Sequence, residues 1–586
     1  MTPTRHSDPN AEPPRPGRGP TAEPGHGSGL DAIPARASAL GSSPSALGSG
    51  PSALGSGLSA PGSGLSAPGP GLSTPDAGLS TPDPSTAPGA RSRDSALRVA
   101  LDVAERLRDP ERVARVTAEE FAGVPGELML PGWQPASVLL GHPGVGLLHD
   151  RCARQDDAWR AAAHAHLAAA TALAPREGPA AVGNLVLPAL LGAEATGGYA
   201  RLLERATGVL AEHARGRTAA LRERADAGLS YLDYDVVAGL TGQGRVLLAA
   251  AVRGDERAAE ALEDVLALLV ALSGPRRVDG VEVPGWWCSP ERYAVPRDRD
   301  AYPRGDFNAG AAHGVCGPLA LLSLAHRAGH GVPGVLDAVR RIADWLGGHA
   351  YEDGHGAVAW PGRVAFEEET GAAPPARGAT TRAGWCYGTA GIAGALHLAG
   401  TELGDAAVSR LAVDATTALL ARPLAELGGD DPGFCHGLAG VLHAAVRLAE
   451  RTGEPALWRG ADRLADALVS LHDTESAFGY RQLVRTPGGT VVLESPSLID
   501  GAAGVALALL GYAEAAHAEG PRAPAAATDG VATHGVATDG FATDGSAGVT
   551  AADGLPADGL PADGLPADGL PADGLRADWD AVFLTS

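Results

Sequence analysis

At 586 residues the chain is long enough for several domains, but both ends are compositionally biased, so the part able to build a core is much shorter. A net charge of −23, from 46 basic against 69 acidic residues, together with the lack of any Lys/Arg cluster, excludes nucleic acid as a partner. Cys152, Cys288, Cys316, Cys386 and Cys435 are odd in number and scattered, which argues for reduced thiols rather than a disulfide framework. The start has no apolar h-region and no apolar run reaches membrane-spanning length, so a cytoplasmic protein without membrane insertion is expected.

Residues 1–93 are Pro/Gly/Ser/Ala-rich, with a near-heptad repeat carrying one leucine per unit. Such a stretch cannot bury enough apolar surface to offset the cost of ordering, and a disordered tail is expected. Residues 94–518 read as helical throughout, with apolar residues at i, i+3 and i+4, as in Ala444 to Leu448 and Leu464 to Leu471, and few β-branched runs. Residues 519–586 are Ala-Thr-Asp-Gly and then Leu-Pro-Ala-Asp-Gly units, an expected acidic low-complexity tail. Its last residues, Trp579 to Leu584, differ in carrying apolar side chains able to dock.

Within the helical region a Gly-x-x-Gly step followed by an apolar run recurs at Gly141, Gly239, Gly314, Gly388, Gly437 and Gly501. The interval from Gly141 to Gly239 is twice that from Gly388 to Gly437. A degenerate copy is therefore expected between them, and Ala181 to Pro188 is its remnant. The fold class predicted is all-α: seven helical hairpins, each with an inner helix opening on the glycines and a more polar outer helix, forming either an open solenoid or a closed α/α toroid.

What stands just before the glycines carries the chemistry. Cys386 and Cys435 are separated by the same interval as Gly388 and Gly437, so they occupy equivalent places. His436 directly precedes Gly437, His313 directly precedes Gly314, and Asp235 lies four residues before Gly239. In a closed ring all five share one rim. Two thiols and an imidazole suggest a Cys2His zinc site with its fourth tetrahedral position open to water or substrate. Cys152, Cys288 and Cys316 lack such partners and read as core residues.

Gly-Trp-Cys-Tyr-Gly at 384–388, Cys-His-Gly at 435–437, Ala-His-Gly at 312–314 and Tyr-Asp-Val at 234–236 together resemble the lanthionine synthetase C-like cyclases, over residues 94–518. The resemblance implies an α/α toroid with one zinc held by Cys386, Cys435 and His436. It also implies that Asp235, His313 and Arg382 act beside the metal, with Tyr387 lining the site. The implied activity is addition of a peptide cysteine thiol to a dehydroalanine or dehydrobutyrine of the same peptide, closing a thioether ring in lanthipeptide (antibiotic) biosynthesis. His313 suits proton delivery. Arg382 could stabilise the enolate or form a structural ion pair, and Asp235 could orient His313, pair with Arg382, or act as a helix cap. The implied partners are a dehydrated precursor peptide, a separate dehydratase, since no upstream length for a fused one is present, and an exporter.

Two other readings use the same residues. One is a zinc-dependent thiol alkylator with another electrophile, as in glutathione or prenyl transfer; an aromatic content of 4% offers little for an isoprenoid cavity. The other is a non-catalytic, peptide-binding ring, which would require none of Asp235, His313 and Arg382.

Overall fold

A computed structural model describes residues 88–124, 132–224, 228–293, 296–377, 383–486, 489–518 and 578–583, all within the contact unit 43–586. Residues 1–87 of the tail expected to be disordered and most of the tail expected from 519 fall outside the described residues. The first helix begins at Pro88, ahead of the expected boundary at 94.

Two kinds of helix divide the chain. Pro455–Ser470 shows the outer kind: Glu454 caps it by accepting from Ala456 N, Pro455 occupies the first turn, and Leu457, Ala461, Leu464, Ala465 and Leu468 bury one stripe. Asp255 and Asp405 cap outer helices in the same way. Cys316–Arg327 shows the inner kind, buried on every side from Cys316 to Ala325, as a helix enclosed by others must be.

Inner and outer helices alternate. His142–Cys152 packs on Arg160–Glu177, Val186–Thr196 on Ala200–Glu223, Leu240–Ala251 on Glu256–Leu272, Cys316–Arg327 on Val335–Gly348, Thr389–Glu402 on Ala406–Leu420, and Leu438–Thr452 on Pro455–Ser470. Val186–Thr196 is the degenerate copy expected from the doubled interval. The last inner helix, Ala502–Ala518, takes its outer partner from the other end of the chain, Pro88–Arg106. Each inner helix packs on the next, and Ala502–Ala518 packs back on His142–Cys152. The ring is closed: an α/α toroid of seven inner and seven outer helices among the described residues.

The glycine pairs have a common cause. A Cβ on the second glycine would overlap a loop carbonyl oxygen: Val138 for Gly144, Val236 for Gly242, Trp385 for Gly391, Phe434 for Gly440 and Leu498 for Gly504. The loop before each of these five inner helices thus folds back over that helix's first turn, and only glycine leaves room for it. Folded this way, the loops bond sideways. Val236 N donates to Ala312 O at 3.0 Å, Ala311 N to Cys386 O at 2.9 Å, Cys386 N to Cys435 O at 3.2 Å, Cys435 N to Ile499 O at 2.8 Å, and Ile499 N to Leu139 O at 3.1 Å. These bonds stitch six rim loops into one belt.

Short antiparallel pairs decorate the ring. One matters for the rim: 306–308 pairs with 363–365, setting Asn308 opposite Arg363. Among the described residues no helix is long and apolar enough to cross a membrane.

Candidate metal centre and active site

The rim belt brings two cysteines together that are far apart in sequence. The Cys386 N to Cys435 O bond fixes the two loops at backbone distance, and Gly384 lies so close to Cys435 and His436 that a side chain there would press on their backbone. The ligand atoms of Cys386, Cys435 and His436 lie within 4.8 Å of one another. His436 turns Nδ1 to the Asp500 carboxylate at 3.3 Å. Its Nε2 is buried and has no hydrogen-bond partner.

A buried ring nitrogen without a partner is costly. Beside two thiols, with the other ring nitrogen tied to a carboxylate, it has the arrangement of a metal-ligating histidine with its orienting partner. The donor set Cys2His suits zinc and leaves one tetrahedral position over. The residues present therefore fit the metal.

The two thiols act as a coupled pair. Donation from Cys435 holds Cys386 well below the ordinary thiol range against the opposing effect of burial, and the His436 charge lowers it further. Cys435 is pushed well up by Cys386 and by burial. Burial alone would lower His436, but the Cys386 and Asp500 charges outweigh it and raise the ring. A site that already favours a thiolate is organised for a cation.

The neighbouring loop supplies a second pair. His313 Nδ1 lies 2.6 Å from Asp235 Oδ2. The other oxygen of Asp235 accepts from Ala238 N at 2.7 Å and Gly239 N at 2.6 Å. Asp235 is fully buried, so it both caps the loop entering Leu240–Ala251 and fixes the His313 ring. Two of the alternatives left open by the sequence hold together. The ring is flanked by Tyr231, centroids 5.6 Å apart, and Tyr387, 6.3 Å. Burial raises the Tyr387 hydroxyl pKa, with the Asn308 hydrogen bond acting against it, so the group stays protonated. Asn308 Nδ2 donates to that hydroxyl at 2.8 Å, while Gly310 gives the Tyr387 ring space to lie against the loop.

A family model described as "Lanthionine synthetase C-like protein" matches residues 132–523. The chain belongs to the lanthionine synthetase C-like family. Among solved structures, this lanthionine synthetase C-like chain is similar to one described as "Nisin cyclase", with a TM-score of 0.54 and 18% identity over 64% of this chain and 88% of that one. At that identity the likeness shows the fold. A comparison with curated protein sequences finds no match.

Of the residues singled out in this family member, Cys386, Cys435 and His436 form one cluster, and Asp235, His313 and Tyr387 form the wall beside it. Arg382 lies outside the described residues. Sequence reasoning missed Asp500 and Asn308. Asp500 was findable, because it stands directly before Gly501 as His436 stands before Gly437. It also missed the buried Arg363, which binds Asp306 through Nε at 2.5 Å and Nη2 at 2.8 Å and Asp298 at 2.8 Å, and lies over the Tyr302 ring at 4.2 Å. That cluster anchors the strand pair that carries Asn308.

Proposed function

We propose that the chain is a zinc-dependent lanthionine cyclase, with residues 94–518 as its catalytic ring. It adds a cysteine thiol of a dehydrated precursor peptide to a dehydroalanine or dehydrobutyrine of the same peptide. The observation that carries this reading is the cluster of Cys386, Cys435 and the unpartnered Nε2 of His436, next to the His313–Asp235 pair. Cys386, Cys435 and His436 would hold one zinc, which would supply a Lewis acid keeping an incoming peptide thiol deprotonated at neutral pH.

The remaining work belongs to the chain's own side chains. Asp235 holds Nδ1 of His313, which leaves Nε2 as the ring atom that takes and returns a proton. As the S–C bond forms at Cβ, the C=C pair moves toward the peptide carbonyl, and His313 delivers a proton to Cα. Tyr387 receives the Asn308 hydrogen bond and keeps its own proton to donate to the oxygen on which charge develops. Arg382 is assigned the same oxygen as a fixed cation. Nothing leaves, so product and substrate have the same mass. The substrate must come from a dehydration of serine or threonine, the work of a separate dehydratase, and the ringed product would pass to an exporter; the setting proposed is the cytoplasm.

The purified protein should carry about one zinc per chain, as one such site implies, and Cys386→Ala and Cys435→Ala should lose it. Metal retained in full by both variants would sink the site.

A further inference from the structure

The axis of the ring is filled from within by the chain's own end. Residues Trp579–Phe583 form a tight turn against the inner helices His142–Cys152 and Leu240–Ala251, and Trp579, Asp580, Ala581 and Phe583 are almost wholly buried. Each chemical feature of the segment meets its complement. Asp578 pairs with Arg151 and, at 3.1 Å, with Arg154, both at the C-terminal end of His142–Cys152, away from the rim. Asp580 accepts from Arg447 Nε at 2.7 Å and Nη2 at 2.6 Å and lies 3.2 Å from His443 Nε2. The tip reaches the rim: the Phe583 ring stacks on Phe434 with centroids 4.0 Å apart and meets Trp385 edge-on at 4.9 Å.

Trp385 and Phe434 are the residues directly before Cys386 and Cys435. Without the segment, Arg151 would keep Glu514 and Arg447 would keep Glu450, but each would lose a carboxylate, Arg447 would face a cavity walled by small residues such as Gly391 and Gly394, and two aromatic faces would lose their packing. A buried cation that loses a carboxylate and an emptied aromatic pocket are both unfavourable. The cavity is thus built for one ligand chemistry: an acidic peptide whose carboxylates meet Arg151 and Arg447 and whose aromatic rings pack on Phe434.

We propose that the ring's axis is a peptide-binding site whose ligand is this chain's own Asp578–Phe583 segment, and that Phe583, by packing on Trp385 and Phe434, positions Cys386 and Cys435. Phe583 is a positioning residue, acting on the thiols through the Trp385 and Phe434 rings. The segment enters at the end of the ring where the last inner helix finishes: Arg151 pairs with both Asp578 and Glu514 of that helix. Binding of the segment stands independently of the cyclase reading; its effect on metal retention rests on that reading.

The test uses the full chain with a protease site placed among the Leu-Pro-Ala-Asp-Gly units. After cleavage the segment should co-elute with the ring, and a labelled synthetic peptide of residues 577–586 should exchange into it. Phe583→Ala and Asp580→Asn peptides should bind about a hundredfold more weakly, the expectation for emptying an aromatic pocket or unpairing a buried charge. In chelator, the uncleaved Phe583→Ala chain should show Cys386 and Cys435 reacting with a maleimide roughly tenfold faster, mapped by mass spectrometry, because loosened packing raises the population of locally open states, while Cys152 is unchanged. The same variant should release zinc faster. A released segment that separates from the ring as readily as a scrambled peptide overturns the binding site. Unchanged reactivity of the two cysteines in Phe583→Ala overturns the positioning role. A chain that binds no zinc but passes both arms would instead count against the cyclase reading alone.

Discussion

Asp500 holds Nδ1 of His436 at 3.3 Å and thereby leaves Nε2 as the buried nitrogen facing the Cys386 and Cys435 thiols. One carboxylate, supplied by the neighbouring repeat, fixes the tautomer and the direction of the third ligand. Asp500→Ala should therefore weaken zinc binding by about 10–100-fold, the range seen when such an orienting partner is removed. Competition with a calibrated chelator reads it directly. Wild-type affinity in this variant would mean that the ring is oriented by packing alone.

His313 and Asp235 should separate metal binding from catalysis. His313→Ala keeps all three proposed ligands, so zinc content should stay near one per chain while ring closure slows by about 10²–10⁴-fold, the usual worth of a general acid–base. Asp235→Asn removes the charge that fixes His313 but keeps an acceptor for Ala238 N and Gly239 N, so the fold should survive while ring closure slows. Zinc content and the rate of ring closure are the two measurements. Loss of metal from His313→Ala would recast this histidine as structural.

The seam where the first helix closes the ring should be acid-sensitive. His149 and His166 both bond Leu107 O, at 3.1 and 2.8 Å, and His142 Nδ1 lies 3.1 Å from His166 Nδ1. Burial lowers His142 and His166 to about 3 and His149 to about 4; repulsion between neighbouring rings adds to it for His142 and His166, and Arg108 for His149, while Asp109 and the Leu107 carbonyl oppose. A histidine depressed in the folded state is uncharged there while the unfolded chain takes up a proton. Stability is thus full above the unfolded value of 6.5 and is lost as pH falls from there toward the folded values. Each ring contributes about 1.4 kcal/mol per pH unit in that window. Melting temperatures measured in chelator at neutral pH and about two units lower should fall markedly. A flat profile would contradict the burial of these rings.

Much of this architecture was legible because the ring forces a local signature. Gly144, Gly242, Gly391, Gly440 and Gly504 recur because a side chain at any of them would strike a folded-back loop, and that recurrence placed the chemical residues on one rim. The weak second repeat was found by interval alone, since the helix beginning at Val186 lacks the glycine pair. Asn308 and Arg363 were not legible: they meet through a strand pair whose two strands, 306–308 and 363–365, lie on either side of the hairpin Cys316–Gly348. That Trp579 to Leu584 carry side chains able to dock was legible, but where Phe583 docks was not, for a different reason. Six residues after a low-complexity stretch have no periodicity, and their complement is spread over Trp385, Phe434, His443 and Arg447.

In the proposed chemistry an incoming peptide thiol is activated between Cys386, Cys435 and His436 and added within the same molecule. The direct measurement is incubation of the zinc-loaded protein with a dehydrated, cysteine-containing precursor, followed by alkylation and mass spectrometry. Free thiols should disappear with no change in peptide mass, and Cys435→Ala should leave them alkylatable. Thiols that remain fully alkylatable with the loaded wild-type protein, or that vanish with a gain in mass from another electrophile, would contradict it.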